Sequence, residues 1–231
     1  MSPRIISHRG KIDLGSPEND LRGIQEAINL GVGMVEFDVR KTSDEVLVCH
    51  HDGKVNGVSV SSLTYESLRN SNEHLCRLEE VLSLCKGKVG VNLEIKEERF
   101  EAKVVDLLVA NFSYDNIYVT SFIPSVIRRV KSQDLKIVSG LLLGDAMSYQ
   151  VFYRIVKEAI SMEDFYYSKA DFISPYYKIY EMGLMRNFQK RGIPIQLWTV
   201  NELKLLKDLI NSDIHSIVTD VPGQILGKIK T

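Results

Sequence analysis

The sequence predicts an α/β chain folded as a closed (β/α)8 barrel, one domain over residues 1–231. Short β-branched runs recur along the chain, and stretches with helical spacing separate most of them. Polar side chains suited to proton transfer, cation binding and anion binding stand at the ends of several runs. Such alternation implies a parallel sheet with right-handed helical crossovers, and polar residues at strand ends are how a barrel builds a site. An open doubly wound sheet is the competing arrangement, and no Gly-rich dinucleotide fingerprint supports it.

Strands are expected at Arg4–His8, Met34–Arg40, Val46–Cys49, Val89–Ile95, Asn116–Thr120, Lys136–Leu142, Asp171–Ser174, Ile193–Thr199 and Ser216–Thr219. Only Lys41–Glu45 separates the second and third runs, so one of that pair is a hairpin-like departure or an extension of a barrel strand. Leu21, Ile24 and Ile28 line one helix face after Ser16-Pro17, read as N-cap and first turn. Pro124 opens a helix carrying Val126, Ile127 and Val130, and Asn201 precedes one carrying Leu203, Leu206 and Ile210. Leu63–Leu68 is one small helix inside the polar segment Gly53–Arg77, which is too short for a separate domain.

Lys and Arg number 29 against 30 Asp and Glu, a formal charge of −1, so no basic field points to nucleic acid. A bound anion must be held by local groups. Cys49, Cys76 and Cys85 form no C-x-x-C pair and read as free thiols of a reducing compartment. No leader-like apolar stretch follows Arg4, and no segment approaches the roughly 18 apolar residues of a membrane span. A cytoplasmic protein without stable membrane association is expected.

Glu36 and Asp38 stand at i and i+2 of a strand and share a face, with Val35, Phe37 and Val39 on the other. Two like charges facing a barrel mouth repel and are costly to desolvate, which a divalent cation would relieve; two solvated edge-strand carboxylates are the plainer explanation. Glu94 and Lys96 repeat the spacing, either as a third oxygen ligand beside a phosphate-binding ammonium or as an internal ion pair. His8 and His51 end strands and are the candidates for proton transfer. Alternation lets only one of His50 and His51 face a site, and His74 and His215 read as surface residues. Trp198 is either core or a pocket wall against a small polyol.

These residues resemble the glycerophosphodiester phosphodiesterase family almost end to end. His8-Arg9-Gly10 is followed by Pro17-Glu18-Asn19, Glu36-x-Asp38, Asp44 with Val48, and His51-Asp52. Leu78-Glu79-Glu80-Val81-Leu82, Leu93-Glu94-Ile95-Lys96, Ser121-Phe122, Trp198-Thr199-Val200-Asn201 and Thr219-Asp220-x-Pro222 complete the series. Each motif is weak singly; their order and spacing together are specific.

The resemblance implies a TIM barrel and a divalent metal, Mg²⁺ or Ca²⁺, held by Glu36, Asp38 and Glu94. It implies His8 and His51 as the acid-base pair, Arg9 and Lys96 on the phosphate, and Asp52, Glu18 and Asn19 in support. It also selects His51 over His50. The sequence departs from the family at Asp20, where Thr is usual, and at Cys76-Arg77, where Pro-Thr is usual. The short segment after His51-Asp52 leaves little chain to cover the pocket.

The implied reaction is metal-dependent hydrolysis of a glycerophosphodiester, a small-molecule partner, to glycerol 3-phosphate and an alcohol. His8 is assigned as base and His51 as acid, roles the sequence leaves interchangeable. A lysophospholipase D- or sphingomyelinase D-like enzyme of the same superfamily would need an apolar membrane-docking loop. Phe165-Tyr166-Tyr167 and Tyr176-Tyr177 are the segments to examine for one. A non-catalytic barrel binding a phosphorylated ligand would be expected to lack one of the histidines or carboxylates. A homodimer is expected only by analogy with other barrels.

Overall fold

The computed structural model describes residues 2–144 and 148–229. Eight strands build the barrel: β1 Arg4–Ser7, β2 Met34–Lys41, β3 Gly90–Ile95, β4 Ile117–Ser121, β5 Val138–Leu143, β6 Phe172–Pro175, β7 Gln196–Leu197 and β8 Ser216–Thr219. The hydrogen-bonded order is β6-β5-β4-β3-β2-β1-β8-β7, parallel throughout. Parallel bridges Ile173–Ile195 and Tyr176–Trp198 bring β7 back beside β6 and nearly close the ring. The alternation in the sequence therefore becomes a TIM-type barrel.

Side-chain alternation sorts each strand into two faces. Val35, Phe37 and Val39 of β2 are fully buried on the outer face, in a core shared with Ile24 and Ala27 of helix Leu21–Leu30 and Val104 and Leu108 of helix Glu101–Asn111. Met34, Glu36, Asp38 and Arg40 take the inner face. Inside the barrel, Ile6, Met34, Tyr118, Phe172 and Val218 form an apolar plug. Gly140 is required there: a Cβ at that position would lie 2.1 Å from Phe172 Cε2.

A polar layer also lies inside. Gln196 accepts at Oε1 from Ser174 Oγ (3.1 Å) and Asn92 Nδ2 (3.4 Å), and its Nε2 donates to Ser216 Oγ at 3.1 Å. The mutual bonding makes burial of these groups affordable, since an unpaired buried amide costs on the order of 1–3 kcal/mol.

Of the two arrangements left open for the run Val46–Cys49, the structure takes the hairpin-like departure. Leu47–Cys49 folds back antiparallel on the end of β2, pairing Val39 with Cys49 and Lys41 with Leu47, and its other edge holds Cys76–Arg77. Lys41–Glu45 is far too short for a parallel crossover, which needs roughly a dozen residues. Val48 instead joins Val60, Leu68 and Leu75 in a small satellite core that anchors helix Tyr65–Ser71. The Ile193–Thr199 run is a regular strand only at Gln196–Leu197. His215 is half-buried, not simply a surface residue: it packs against Tyr118 and Phe172 at the barrel floor, with Nε2 3.2 Å from the Tyr118 hydroxyl.

The helix expected after Ser16-Pro17 begins at Leu21, and its cap is Asp20, whose carboxylate accepts from Gly23 N at 3.1 Å. Ser16 serves the preceding turn, accepting from Asp13 N at 3.2 Å. Gly31 ends the helix in the left-handed region, at φ 80°. Pro124 does open its helix, Pro124–Gln133, with Val126, Ile127 and Val130 buried. Asp20→Ala should destabilise the fold by about 1 kcal/mol in urea denaturation; an unchanged midpoint would contradict the capping assignment.

Candidate active site

β1 ends in a tight turn at His8-Arg9-Gly10. Arg9 sits in the left-handed region at φ 53°, a conformation that costs a non-glycine residue on the order of 1–2 kcal/mol. Two bonds hold it there: Arg9 N donates to Glu36 Oε2 at 2.8 Å, and Asn19 N donates to the Arg9 carbonyl at 2.8 Å. Gly10 follows at φ 71°, where a Cβ would lie 2.5 Å from Ile24 Cγ1. The turn aims the Arg9 guanidinium inward, with Nη1 2.5 Å from Glu18 Oε2 and Nε 3.3 Å from Asp38 Oδ2.

β2 and β3 pair with Asp38 opposite Glu94 and Glu36 opposite Asn92. That register gathers Glu36, Asp38 and Glu94, each offering an oxygen within 4.8 Å of the others. Lys96 Nζ lies 2.6 Å from Glu94 Oε1 and 3.2 Å from Asp38 Oδ1. Asn19 fastens Asp38 from behind: Nδ2 donates to Oδ2 at 2.9 Å, and Asp38 N donates to Asn19 Oδ1 at 3.0 Å.

The three acids do not share charge equally. Burial opposes ionisation of Asp38, but Lys96, Arg9 and the Asn19 donor outweigh it and hold its pKa down to about 2. Burial, then repulsion from Asp38 and Glu94, pushes Glu36 well above the carboxylate range. Burial and Asp38 likewise push Glu94 up to about 7, against the pull of Lys96. Such a set suits a hard divalent cation, which prefers oxygen donors and would relieve their repulsion.

His8 Nδ1 lies 2.8 Å from Asp220 Oδ1. Asn201 steadies that carboxylate, donating from Nδ2 to Oδ2 at 2.6 Å and accepting from Asp220 N at 2.9 Å. Burial lowers the His8 pKa, with Asp220 opposing the shift and Arg9 adding to it. Burial of Asp220 is outweighed by His8 and Asn201, so its pKa falls and it remains a carboxylate, an acceptor. The neutral imidazole must then carry its proton on Nδ1, leaving the Nε2 lone pair free. His51 has the same arrangement nearer solvent, with Nδ1 2.8 Å from Asp52 Oδ1.

His8, Arg9, Glu36, His51, Asp52, Glu94, Lys96 and Trp198 line one cavity of about 500 Å³ at the barrel mouth. Asp38, Asn19 and Glu18 stand one contact behind it, bonded as described. Trp198 is a wall: its indole Nε1 donates to the Ser174 carbonyl at 2.9 Å, and its ring meets Phe122 edge-on at 5.4 Å. Ile123, Leu142 and Val218 extend this apolar side, opposite the charged one. His50 is outside the cavity lining, and its Nε2 has no hydrogen-bond partner among the described residues. His74 is exposed.

Asp220 and Asn201 were visible only as motif residues, without a partner. The signal that could have found the pairing is the closing register, in which β1 and β8 align Ser7 with Thr219 and so set His8 beside Asp220. Arg40 and Gln196 also line the cavity and carry no motif of their own. The aromatic segments do not form an apolar loop. Phe165 and Tyr177 are buried, Tyr166 and Tyr167 lie on helix Glu163–Ser168, and Arg128 stacks 4.9 Å over Tyr167. Among the described residues, no helix is long and apolar enough to cross a membrane.

The raised Glu94 pKa carries a stability consequence. The folded state holds this proton more tightly than the unfolded chain, so Glu94 costs nothing at pH 4, progressively more as pH rises towards 7, and its full penalty above 7. With divalent cations chelated, Glu94→Gln should be more stable than the native protein at pH 8, by on the order of 1–3 kcal/mol. The gap should close at pH 4, and a less stable variant at pH 8 would contradict the assignment.

The family model described as the glycerophosphoryl diester phosphodiesterase family matches residues 8–224. A glycerophosphodiester phosphodiesterase of Caldanaerobacter subterraneus subsp. tengcongensis is 25% identical over 252 residues, covering 100% of this chain and 99% of that one. Mouse glycerophosphodiester phosphodiesterase 1 is 27% identical, over 85% of this chain and 71% of its own. Among solved structures, an Agrobacterium tumefaciens protein described as a putative glycerophosphoryl diester phosphodiesterase superposes with a TM-score of 0.81 at 20% identity, covering 100% of this chain and 98% of its own. An Oleispira antarctica phosphodiesterase in complex with the product sn-glycerol-3-phosphate gives 0.78 at 19% identity, with coverage of 100% and 98%. At these identities the structural likeness speaks to the barrel, and the family model speaks to descent. The chain belongs to the glycerophosphoryl diester phosphodiesterase family.

Proposed function

We propose that this protein hydrolyses glycerophosphodiesters to glycerol 3-phosphate and an alcohol, using a divalent cation and two histidines. The observation that carries the reading is the gathering, at one cavity of a family member, of Glu36 and Glu94 with Asp38 directly behind them, two cationic side chains and two carboxylate-backed imidazoles. Curated relatives named for this activity match along nearly the whole chain, and a structural neighbour holds the proposed product.

A phosphodiester resists attack because its anionic oxygens repel the nucleophile. Arg9 and Lys96 would hold those oxygens, Arg9 released in part from Glu18 and Asp38 and Lys96 from Asp38 and Glu94. Glu36, Asp38 and Glu94 would hold Mg²⁺ or Ca²⁺, which supplies further charge neutralisation at the phosphate. His8, neutral with Nε2 unprotonated, takes the proton of the attacking hydroxyl as the new P–O bond forms. That hydroxyl belongs either to water or to the adjacent carbon of the glycerol, the latter giving a cyclic phosphate that water then opens. His51 donates its proton to the alcohol oxygen as the old P–O bond breaks. Asp220 and Asp52 keep the rings oriented and stabilise their protonated forms. Trp198 and Phe122 would pack against the carbon skeleton.

The test is release of glycerol 3-phosphate from glycerophosphocholine and glycerophosphoethanolamine. Turnover should vanish in EDTA and return with Mg²⁺ or Ca²⁺; no turnover on either ester in any metal would overturn the proposal. Glu36→Ala and His51→Ala should each lower kcat/KM by roughly 10²–10⁴-fold, with circular dichroism and melting showing an intact fold. Native-level activity in either variant would defeat the residue assignment.

A further inference from the structure

His51 needs more than Asp52 to hold its place. It follows the three-residue strand Leu47–Cys49 and its side chain is 33% exposed, while that of Asp52 is 72% exposed. Packing alone therefore constrains neither ring nor partner. Arg40 supplies what packing does not. It stands two residues past Asp38, on the inner face of β2, and is only 9% exposed. Its Nε and Nη2 converge on a single acceptor, the His51 carbonyl, at 3.0 and 2.8 Å. Its Nη1 pairs with the Glu97 carboxylate, one residue beyond Lys96.

We propose that Arg40 is a positioning residue that clamps the His51–Asp52 peptide, so that the His51 imidazole is aimed at the departing alcohol; this rests on the reading of His51 as proton donor. The clamped carbonyl joins His51 to the residue that orients its ring, so one guanidinium fixes both members of the pair. The Glu97 bond extends the brace to the end of β3, which carries Glu94 and Lys96. A lysine cannot replace this geometry, because an ammonium offers no planar fork. Arg40 lines the same cavity, so phosphate binding is the rival role; three of its five N–H donors, one on each nitrogen, are already used.

The experiment compares two glycerophosphodiesters, one with an ethanolamine leaving group that needs a proton and one with p-nitrophenol, which leaves as its anion unaided. Arg40→Gln should lower kcat on the ethanolamine ester by roughly 10–100-fold, with KM little changed, because misplacing a reacting group by about 1 Å costs that much. On the p-nitrophenyl ester it should be within a few-fold of the native enzyme. Arg40→Lys, which keeps the charge opposite Glu97, should restore native melting without restoring the rate, and carries the test if Arg40→Gln does not fold. His51→Ala is the reference and should show the same leaving-group selectivity. Equal losses on both esters for the Arg40 variants, or a loss confined to KM, would overturn the positioning role while leaving His51 as donor. Loss of selectivity in His51→Ala itself would overturn the reading beneath it.

Discussion

Three carboxylates buried together is the constraint to which the mouth of this barrel answers. Glu36, Asp38 and Glu94 meet because β2 and β3 run parallel in a register that sets Asp38 opposite Glu94. In low dielectric their repulsion cannot be tolerated with all three ionised. The chain responds by giving one of them nearly all the stabilisation. Asp38 receives Asn19, Arg9 and Lys96, while Glu36 and Glu94 are driven towards their protonated forms. The left-handed Arg9 turn belongs to the same settlement, since the backbone N–H it presents to Glu36 is part of what makes that carboxylate bearable.

Barrel closure supplies the second part. His8 and Asp220 are 212 residues apart and meet only because the first and last strands pair. Asn201, in the segment that follows β7, reaches the same carboxylate, so residues following three neighbouring strands around the closing seam determine the tautomer of one imidazole. His51 is mounted differently, on a hairpin that leaves the barrel. Strand pairing extends only as far as His50, whose N–H donates to the Asp38 carbonyl, and beyond it the His51 ring has a local carboxylate and Arg40. The two histidines thus face one cavity from supports of unequal stiffness.

Much of this was legible from local pattern. Period-two alternation separated Val35, Phe37 and Val39 from Glu36 and Asp38, and strand-helix alternation implied the barrel. What local pattern cannot carry is partnership. Nothing near Asp220 in the sequence says that its neighbour is His8, and Arg40 looks like one more polar residue on an alternating strand. The run Val46–Cys49 has the composition of a barrel strand; only the shortness of the Lys41–Glu45 connection reveals it as a hairpin. Ser16 and Asp20 are both good capping residues, and the choice between them was made by where the Arg9–Asn19 backbone bond places the chain. His215 looked like a surface residue because its neighbours in sequence are polar, whereas its neighbours in space are Tyr118 and Phe172.

That Glu36, Asp38 and Glu94 bind a divalent cation, and so relieve the repulsion among them, is proposed from their geometry. It is tested most directly by titrating the metal-free protein with Mg²⁺ and with Ca²⁺ at pH 7, calorimetrically, in buffers of different ionisation enthalpy. Burial and mutual repulsion drive Glu36 and Glu94 towards their protonated forms, so binding should release protons, and affinity should climb as pH rises through 7. Glu94→Gln should bind more weakly and release fewer protons. Absence of binding by either ion, or binding with no proton release in any buffer, would contradict the account.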